Sequence, residues 1–256
     1  MPGSGLQMRV AVAGGTGVVG RHVVSALVAA GHEPVVLARA TGVDITTGSG
    51  LDAALAGAKA LIDVSNVPTS RKGPSVAFFE SSTGNLLRAG ESAGVQHHVV
   101  LSIVGVDRVD FGYYYGKRRQ EELVLASGRP VTVARATQFH EFVAQVLDRG
   151  VGLIAVAPRM LIQPIAAREV ATELAGLVSQ PPVGMAAEIA GPQQHQLPDL
   201  ARALLTSRGS RRRLLTMRLP GSAGRAMATG GLLPTGSGPR GVQTFTDWLT
   251  DPSQPQ

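Results

Sequence analysis

The chain has 256 residues, 44% of them hydrophobic and 16% charged, with 32 glycines, 16 prolines and no cysteine. It is too apolar for a disordered protein and long enough for a sizeable core. The missing cysteine excludes a disulfide scaffold, thiolate metal ligation and a thiol nucleophile. The formal charge of +6 would suit an anionic partner. However, the dense basic run Arg208, Arg211, Arg212, Arg213, Arg218 and Arg225 has no aromatic residue interleaved to stack on bases. A solvated basic face is therefore expected, with no nucleic-acid partner. Apolar stretches such as residues 151–157 fall well short of the roughly 20 residues that span a bilayer. The N-terminal MPGSGLQ has no basic segment followed by an apolar one, so neither a membrane partner nor a secretory signal is expected. The expectation is a cytoplasmic protein with a small-molecule substrate; its oligomeric state is left open.

Taken in chain order, residues 9–14 read as a strand buried on both faces, because the apolar run is nearly continuous. Residues 18–30 read as a helix, with Gly31 where a left-handed cap is wanted. Residues 33–38 form a second strand in which Pro34 is tolerable only near the start. A short helix over 51–56, a buried strand over 60–64, a long helix over 76–94, a strand over 97–102, a helix over 114–126 and a strand over 131–134 follow. That alternation is the pattern of βαβ units and a parallel sheet. After Arg135 the rhythm changes. Helices are expected over 137–149, 169–178 and 198–205, the last from Leu197, Leu200, Leu204 and Leu205 at helical spacing. Proline and glycine separate them, residues 221–241 read as loop with at most one short helix, and Phe245, Trp248 and Leu249 dock a last helix. No fixed-period repeat occurs, and residues 1–7 and 251–256 are expected to fray. The predicted fold is α/β. A doubly wound parallel sheet spans residues 1–135, and residues 136–256 are interleaved with that core.

Gly14, Gly17 and Gly20 follow directly on the first strand and open the first helix. At that place one glycine permits the tight turn, one lets the backbone approach a pyrophosphate, and one lets helix and strand pack closely. The helix N-terminus adds unpaired N–H groups and the positive end of its dipole. A dinucleotide is therefore the expected ligand. About 20 residues past such glycines an NAD site usually carries an acidic residue, whereas here the second strand ends in Arg39. A guanidinium there suits a 2′-phosphate, so NADP(H) is the expected cofactor. Asp44 is the rival, because a carboxylate reaching the ribose would favour NAD.

Tyr113, Tyr114 and Tyr115 are consecutive and followed by Lys117. On a helix Tyr113 shares a face with Lys117, and a nearby ammonium lowers a phenol's pKa toward a useful range. Spacing alone leaves Tyr114 open as well. With the segments VAGGTGVVG (12–20), LSIVGVDR (101–108), YYYGK (113–117) and RATQFH (135–140), together with PIA (164–166) and EIAGP (188–192), the chain resembles the short-chain dehydrogenase/reductase superfamily, and more closely its atypical, NmrA-like NAD(P)-binding branch. The resemblance implies a Rossmann-type core over residues 1–135 with a small C-terminal substrate lobe over 136–256, and that Gly14, Thr16, Gly17, Val18, Val19 and Gly20 cradle the pyrophosphate. It puts Arg39 by the adenosine phosphate, Asp44 by the adenine amino group, and Ser65 and Asn66 on the nicotinamide-ribose side. Lys117 would hold the ribose hydroxyls, Tyr113 would donate the proton, and Ser102 would bond a substrate carbonyl to complete a Ser-Tyr-Lys set. In extended relatives that serine often falls a couple of positions later, where this chain has Val104.

Gln138, Phe139 and His140 follow a strand's carboxyl end, which makes them the expected substrate residues; the plain alternative for His140 is a half-exposed histidine at a helix start. His97 and His98 alternate faces in a strand and cannot pair on one ligand. No cluster has metal spacing, so no metal is expected. Nor does any nucleophile elbow occur. The activity implied is an NADPH-dependent oxidoreductase that passes hydride to a small apolar carbonyl or quinone-like acceptor. The alternatives are an NADP(H)-binding sensor without turnover and an isomerase or dehydratase that recycles its bound cofactor.

Overall fold

The computed structural model describes residues 7–148, 150 and 152–251; expectations placed on residues 1–6, 149, 151 and 252–256 lie outside them. The elements are β1 (Arg9–Ala13), α1 (Val18–Ala29), β2 (Glu33–Leu37), α2 (Leu51–Leu55), β3 (Ala60–Asp63), α3 (Lys72–Ser92), β4 (His97–Ile103), α4 (Gly112–Leu125) and β5 (Val131–Ala136). They continue with α5 (Glu141–Leu147), β6 (Ile154–Pro158), β7 (Leu161–Ile162), α6 (Ala167–Leu177), β8 (Gly184–Met185), β9 (His195–Gln196), α7 (Leu197–Ser207), β10 (Arg213–Met217), α8 (Gly221–Ala228) and α9 (Phe245–Thr250). They divide into two compact units. The first holds the chain up to Ser102, Phe111–Ala134 and Val170–Ala186; the second holds Ile103–Asp110, Arg135–Glu169 and the chain from Ala187 onward.

The first unit is an α/β Rossmann-type fold around a six-stranded parallel sheet in the order β2-β1-β3-β4-β5-β8. Ala11 of β1 lies between Val35 of β2 and Leu61 of β3. The strand order therefore turns back at β1, the switch point beyond which open parallel sheets bind ligands. Pro34 sits in β2 at the edge of the sheet, where a missing N–H costs no ladder bond. Between β2 and α2 the chain makes a 3-10 turn at Arg39–Thr41 and a bridge from Asp44 to Ser49 rather than a strand. Ala11, Ala13, Leu37, Leu51, Leu55, Leu61 and Leu86 form a core cluster.

Helix α3 starts four residues before the expected position, because Pro74 falls in its first turn, where no intrahelical donor is lost. It crosses α4 at Gly116, whose Cβ would run into Ser75 and Phe79. Ser75 Oγ donates to Tyr113 O at 2.8 Å across that crossing.

The second unit holds two small sheets, β10 with β6 in parallel and β7 with β9 antiparallel. Strands β6 to β10 were not expected. Two-residue strands have no period to read, and the apolar run near residue 154 reads equally as buried strand or helix. The helix expected over residues 137–149 begins only at Glu141. Thr137 and Phe139 are held extended instead, by Thr137 Oγ1 donating to Gln163 O at 2.6 Å and by a bridge between Phe139 and Ile165. Thr244 and Asp247 cap α9 reciprocally, which fixes Phe245 and Trp248 as stacked rings 5.4 Å apart.

The α1–β1 contact rests on Gly20, whose Cβ would fall within the radius of Gly14 O. Gly20→Ala is expected to destabilise the first unit by about 2–3 kcal/mol, read as a lower urea midpoint with the slope unchanged.

Candidate active site

The glycine turn leaves β1 at Gly14, with φ +79°, a conformation that favours glycine. A Cβ on Gly14 would lie 2.9 Å from Ser65 Cα, Ser65 N and Val64 O. The loop after β1 and the loop after β3 are therefore pressed backbone to backbone at the switch point. Gly17 N donates to Gly14 O at 2.9 Å, and Gly17 caps α1 with no side chain accepting from its first-turn amides. Thr16 and Gly17 are exposed, Val18 is half-buried, and Val19 packs inward. This is a cradle that side chains would fill and that backbone donors line, so the residues present fit a pyrophosphate.

At the end of β2, Arg39 is exposed and opens the 3-10 turn. Asp44 Oδ1 accepts from Thr46 N at 2.8 Å and from Thr46 Oγ1 at 2.6 Å. Those bonds hold the Asp44 carboxyl below the ordinary carboxylate range, with Arg39 adding a smaller electrostatic pull. One oxygen of Asp44 is thus committed to its own turn.

The densest polar arrangement lies on β3 and α4. Asp63, fully buried, accepts from Ser65 N at 2.9 Å through Oδ1 and from Gln120 Nε2 at 2.8 Å through Oδ2. Gln120 Oε1 accepts from Lys117 Nζ at 2.7 Å, and Lys117 Nζ also donates to Leu101 O at 2.7 Å. The ammonium lies 4.6 Å from the centre of the Phe79 ring, within cation–π range. Burial pulls Lys117 from the ordinary 10.5 to about 8, against the opposing pull of Asp63 and Glu121.

Tyr113 OH donates to Asn66 Oδ1 at 2.6 Å, which joins α4 to the loop after β3. Its ring meets Phe79 edge-on at 5.9 Å. Tyr114 packs inward against Phe111 at 5.7 Å, and Tyr115 lies under Lys72 at 4.1 Å. Of the three tyrosines, Tyr113 is thus the one whose hydroxyl bonds Asn66. The expected lowering of its pKa does not occur. Burial pushes the phenol above its ordinary value of 10, with Tyr114 and Asp63 adding to the rise, while two N–H bonds of Lys117 go to Leu101 and Gln120.

Ser65 and Ser102 are buried, and neither hydroxyl has a hydrogen-bond partner among the described residues. Gln138, Phe139 and His140 belong to the second unit. Gln138 is 9% exposed, with neither amide atom bonded among the described residues. His140 is fully enclosed rather than half-exposed: its Nε2 lies 3.2 Å from Gln243 O, and Phe245 and Trp248 flank the ring. Burial pulls its pKa down to about 4. Among the described residues no group of three His, Asp or Glu is placed to hold a metal ion, and no helix is long and apolar enough to cross a membrane. Sequence reasoning missed Asp63 and Gln120. The available signals were a lone carboxylate in an otherwise apolar strand and a glutamine one helical turn past Lys117.

The fold is Rossmann-type and is shared with solved dehydratase, epimerase and reductase structures. More particularly, residues 10–105 match the NAD dependent epimerase/dehydratase family. Similar solved structures include dTDP-glucose 4,6-dehydratase from Streptomyces venezuelae with NAD bound (TM-score 0.68, 21% identity, 90% of this chain and 93% of that one). Another is a triphenylmethane reductase from Citrobacter (0.66, 16%, 89% and 92%). A third is an NADPH-dependent quinone oxidoreductase from Escherichia coli (0.64, 18%, 94% and 98%). No curated protein matches the chain in sequence.

A lysine drawn from 10.5 to about 8 binds fewer protons folded than unfolded between those values. Stability should therefore rise with pH from about 8 to about 10.5, by up to about 3 kcal/mol. Lys117→Met should flatten that rise in urea unfolding curves taken across the window.

Proposed function

We propose that the chain is an NADPH-dependent oxidoreductase that reduces a small apolar carbonyl or quinone-like acceptor. The observation that carries this reading is the 2.6 Å bond from Tyr113 OH to Asn66, next to the Ser65 backbone pressed against Gly14. It sets a phenol beside the loop that flanks the glycine cradle. The residues proposed to hold the cofactor are Gly14, Thr16, Gly17, Val18, Val19 and Gly20 at the pyrophosphate, Arg39 at the 2′-phosphate and Asp44 at the adenine. Ser65 and Asn66 take the nicotinamide-ribose side. When bound, NADPH supplies the hydride.

The remaining chemistry falls to the chain's own side chains. A phenol held above pH 10 stays protonated at neutral pH, so Tyr113 can give its proton to the acceptor's oxygen as charge develops there. An ammonium has three donors. Two on Lys117 go to Leu101 O and Gln120 Oε1, leaving one for a ribose hydroxyl. Gln120 and Asp63 position Lys117 without touching substrate. Ser102, buried at the end of β4 with an unpaired hydroxyl, is the proposed second donor to the substrate oxygen. Gln138, Phe139 and His140 remain proposed substrate residues of the second unit. The match of residues 10–105 to an epimerase/dehydratase family supports a second reading, an isomerase or dehydratase that returns its hydride each cycle.

The deciding assay is NADPH consumption against a panel of quinones and ketones. Wild type should oxidise NADPH with at least one acceptor. Tyr113→Phe should lower kcat by about 100-fold or more with NADPH affinity nearly unchanged. Tight NADPH binding without consumption on any acceptor favours the sensor. Turnover of a substrate with no net consumption favours the isomerase or dehydratase. In a parallel titration, Arg39→Ala should weaken NADPH by about 10-fold or more while leaving NADH little changed; equal losses for both would remove the 2′-phosphate role.

A further inference from the structure

Strands β6 and β10 of the second unit pair in parallel, with Ile154 beside Arg213, Val156 beside Leu215 and Pro158 beside Met217. Alternate residues of a strand point to opposite sides of the sheet. Ala155 and Ala157 are fully buried and Leu214 is half-buried, which marks the inner face. The outer face carries Ile154, Leu215 and Met217 at 46%, 53% and 44% exposure. Apolar side chains exposed singly are ordinary, whereas neighbours on paired strands make a continuous patch that calls for a partner.

The charge around this patch has one sign. Arg213 lies at one end, preceded by Arg211, and Arg159 and Arg218 follow the other end, where Arg159 N donates to Met217 O at 2.8 Å. All four are exposed. No acidic residue occurs between Asp148 and Glu169 or between Asp199 and Asp247, so neither strand nor its flanks supplies a carboxylate to neutralise them. The arginine run that reads in the sequence as a solvated face is therefore the rim of an apolar stripe.

Charge, chemistry and area together choose the occupant. The rim requires an anionic one. An apolar centre offers a nucleic acid nothing, and the run has no aromatic residue to stack on bases. A second copy would set arginines against arginines with no carboxylate to offset them. A protein partner ordinarily covers about 800 Å² on each side. Two strands of five residues make a face only about 17 Å long and about 10 Å wide. A lipid bilayer needs no matching shape: apolar side chains enter the acyl boundary while arginines reach the headgroups. We propose that the outer face of β6 and β10 docks the chain on an anionic lipid surface. Ile154, Leu215 and Met217 enter the interface, and Arg159, Arg211, Arg213 and Arg218 pair with headgroups. Among the described residues no helix is long and apolar enough to cross a membrane, which bears on spanning and not on adsorption. The inference rests on this face alone and does not depend on the proposed redox activity.

Co-sedimentation of the full chain with lipid vesicles tests the assignment. The chain should pellet with vesicles of phosphatidylserine and phosphatidylcholine in equal parts and stay in solution with phosphatidylcholine alone. Each arginine at a charged surface is worth about five-fold in affinity. Arg211→Gln, Arg213→Gln and Arg218→Gln together should therefore weaken binding by about 100-fold. Leu215→Ser with Met217→Ser, which leaves the charge unchanged, should weaken it by about 10-fold or more. Arg21→Gln, Arg71→Gln and Arg88→Gln together remove the same charge from exposed positions of the first unit and should leave it nearly unchanged. No pelleting with the mixed vesicles, equal pelleting with phosphatidylcholine alone, or a serine pair that binds as wild type does would overturn the assignment. So would a first-unit triple that loses as much as the second-unit one, which would leave only net charge at work. Dimerisation of wild type abolished by the serine pair would also overturn it, giving the face to a second copy.

Discussion

The fully buried carboxylate of Asp63 is the joint on which the candidate site depends. One oxygen accepts from Ser65 N and so fixes the turn that follows β3. That turn is the surface against which Gly14 is pressed, at the separation a Cβ would abolish. The other oxygen accepts from Gln120 of α4, whose carbonyl holds Lys117. A single side chain thus ties the wall of the glycine cradle to the helix that carries Tyr113 and Lys117. A buried carboxylate is tolerable only when its lone pairs are bonded. Both oxygens here have partners supplied by the two segments that must be aligned, so the requirement to satisfy the charge is also what sets the geometry.

The same burial governs protonation in opposite directions. Desolvation disfavours whichever form is charged. It therefore raises the Tyr113 phenol and lowers the Lys117 ammonium to about 8. The spacing of tyrosine and lysine on one helix suggests that the cation lowers the phenol. In the folded chain the ammonium is directed to Leu101 O and Gln120, and removal from water outweighs it. A neutral phenol is nevertheless the form a proton donor needs, so the correction bears on how the site works and leaves Tyr113 as the proposed donor.

Much of the first unit was legible because its signals are local. The glycine spacing, the apolar runs of β1 and β3 and the tyrosine-lysine pair each lie within a few residues. What escaped was set by distant partners. Asp63 and Gln120 are 57 residues apart in sequence, and nothing in either neighbourhood announces the other. Residues 137–139 carry a helical pattern, yet Gln163 and Ile165 hold them extended. Tertiary bonds there override a local preference worth only a few tenths of a kcal/mol per residue. His140 follows the same rule. A histidine at a helix start looks accessible, but Phe245 and Trp248 from a helix a hundred residues later enclose it.

The choice between the two nucleotides turns on which polar group beside β2 remains available. An acidic residue favours the ribose of NAD only if its oxygens can accept from the hydroxyls. Asp44 spends Oδ1 on Thr46 N and Thr46 Oγ1, and the short Asp44–Ser49 bridge makes that bond part of the loop's own architecture. Arg39 stands at the carboxyl end of β2, exposed, in a turn closed by Thr41 Oγ1 rather than by the guanidinium. A cation held at that end of the strand complements a phosphate better than a hydroxyl. The electrostatics of this loop therefore support the proposed preference for NADPH over NADH, independently of the hydride acceptor's identity.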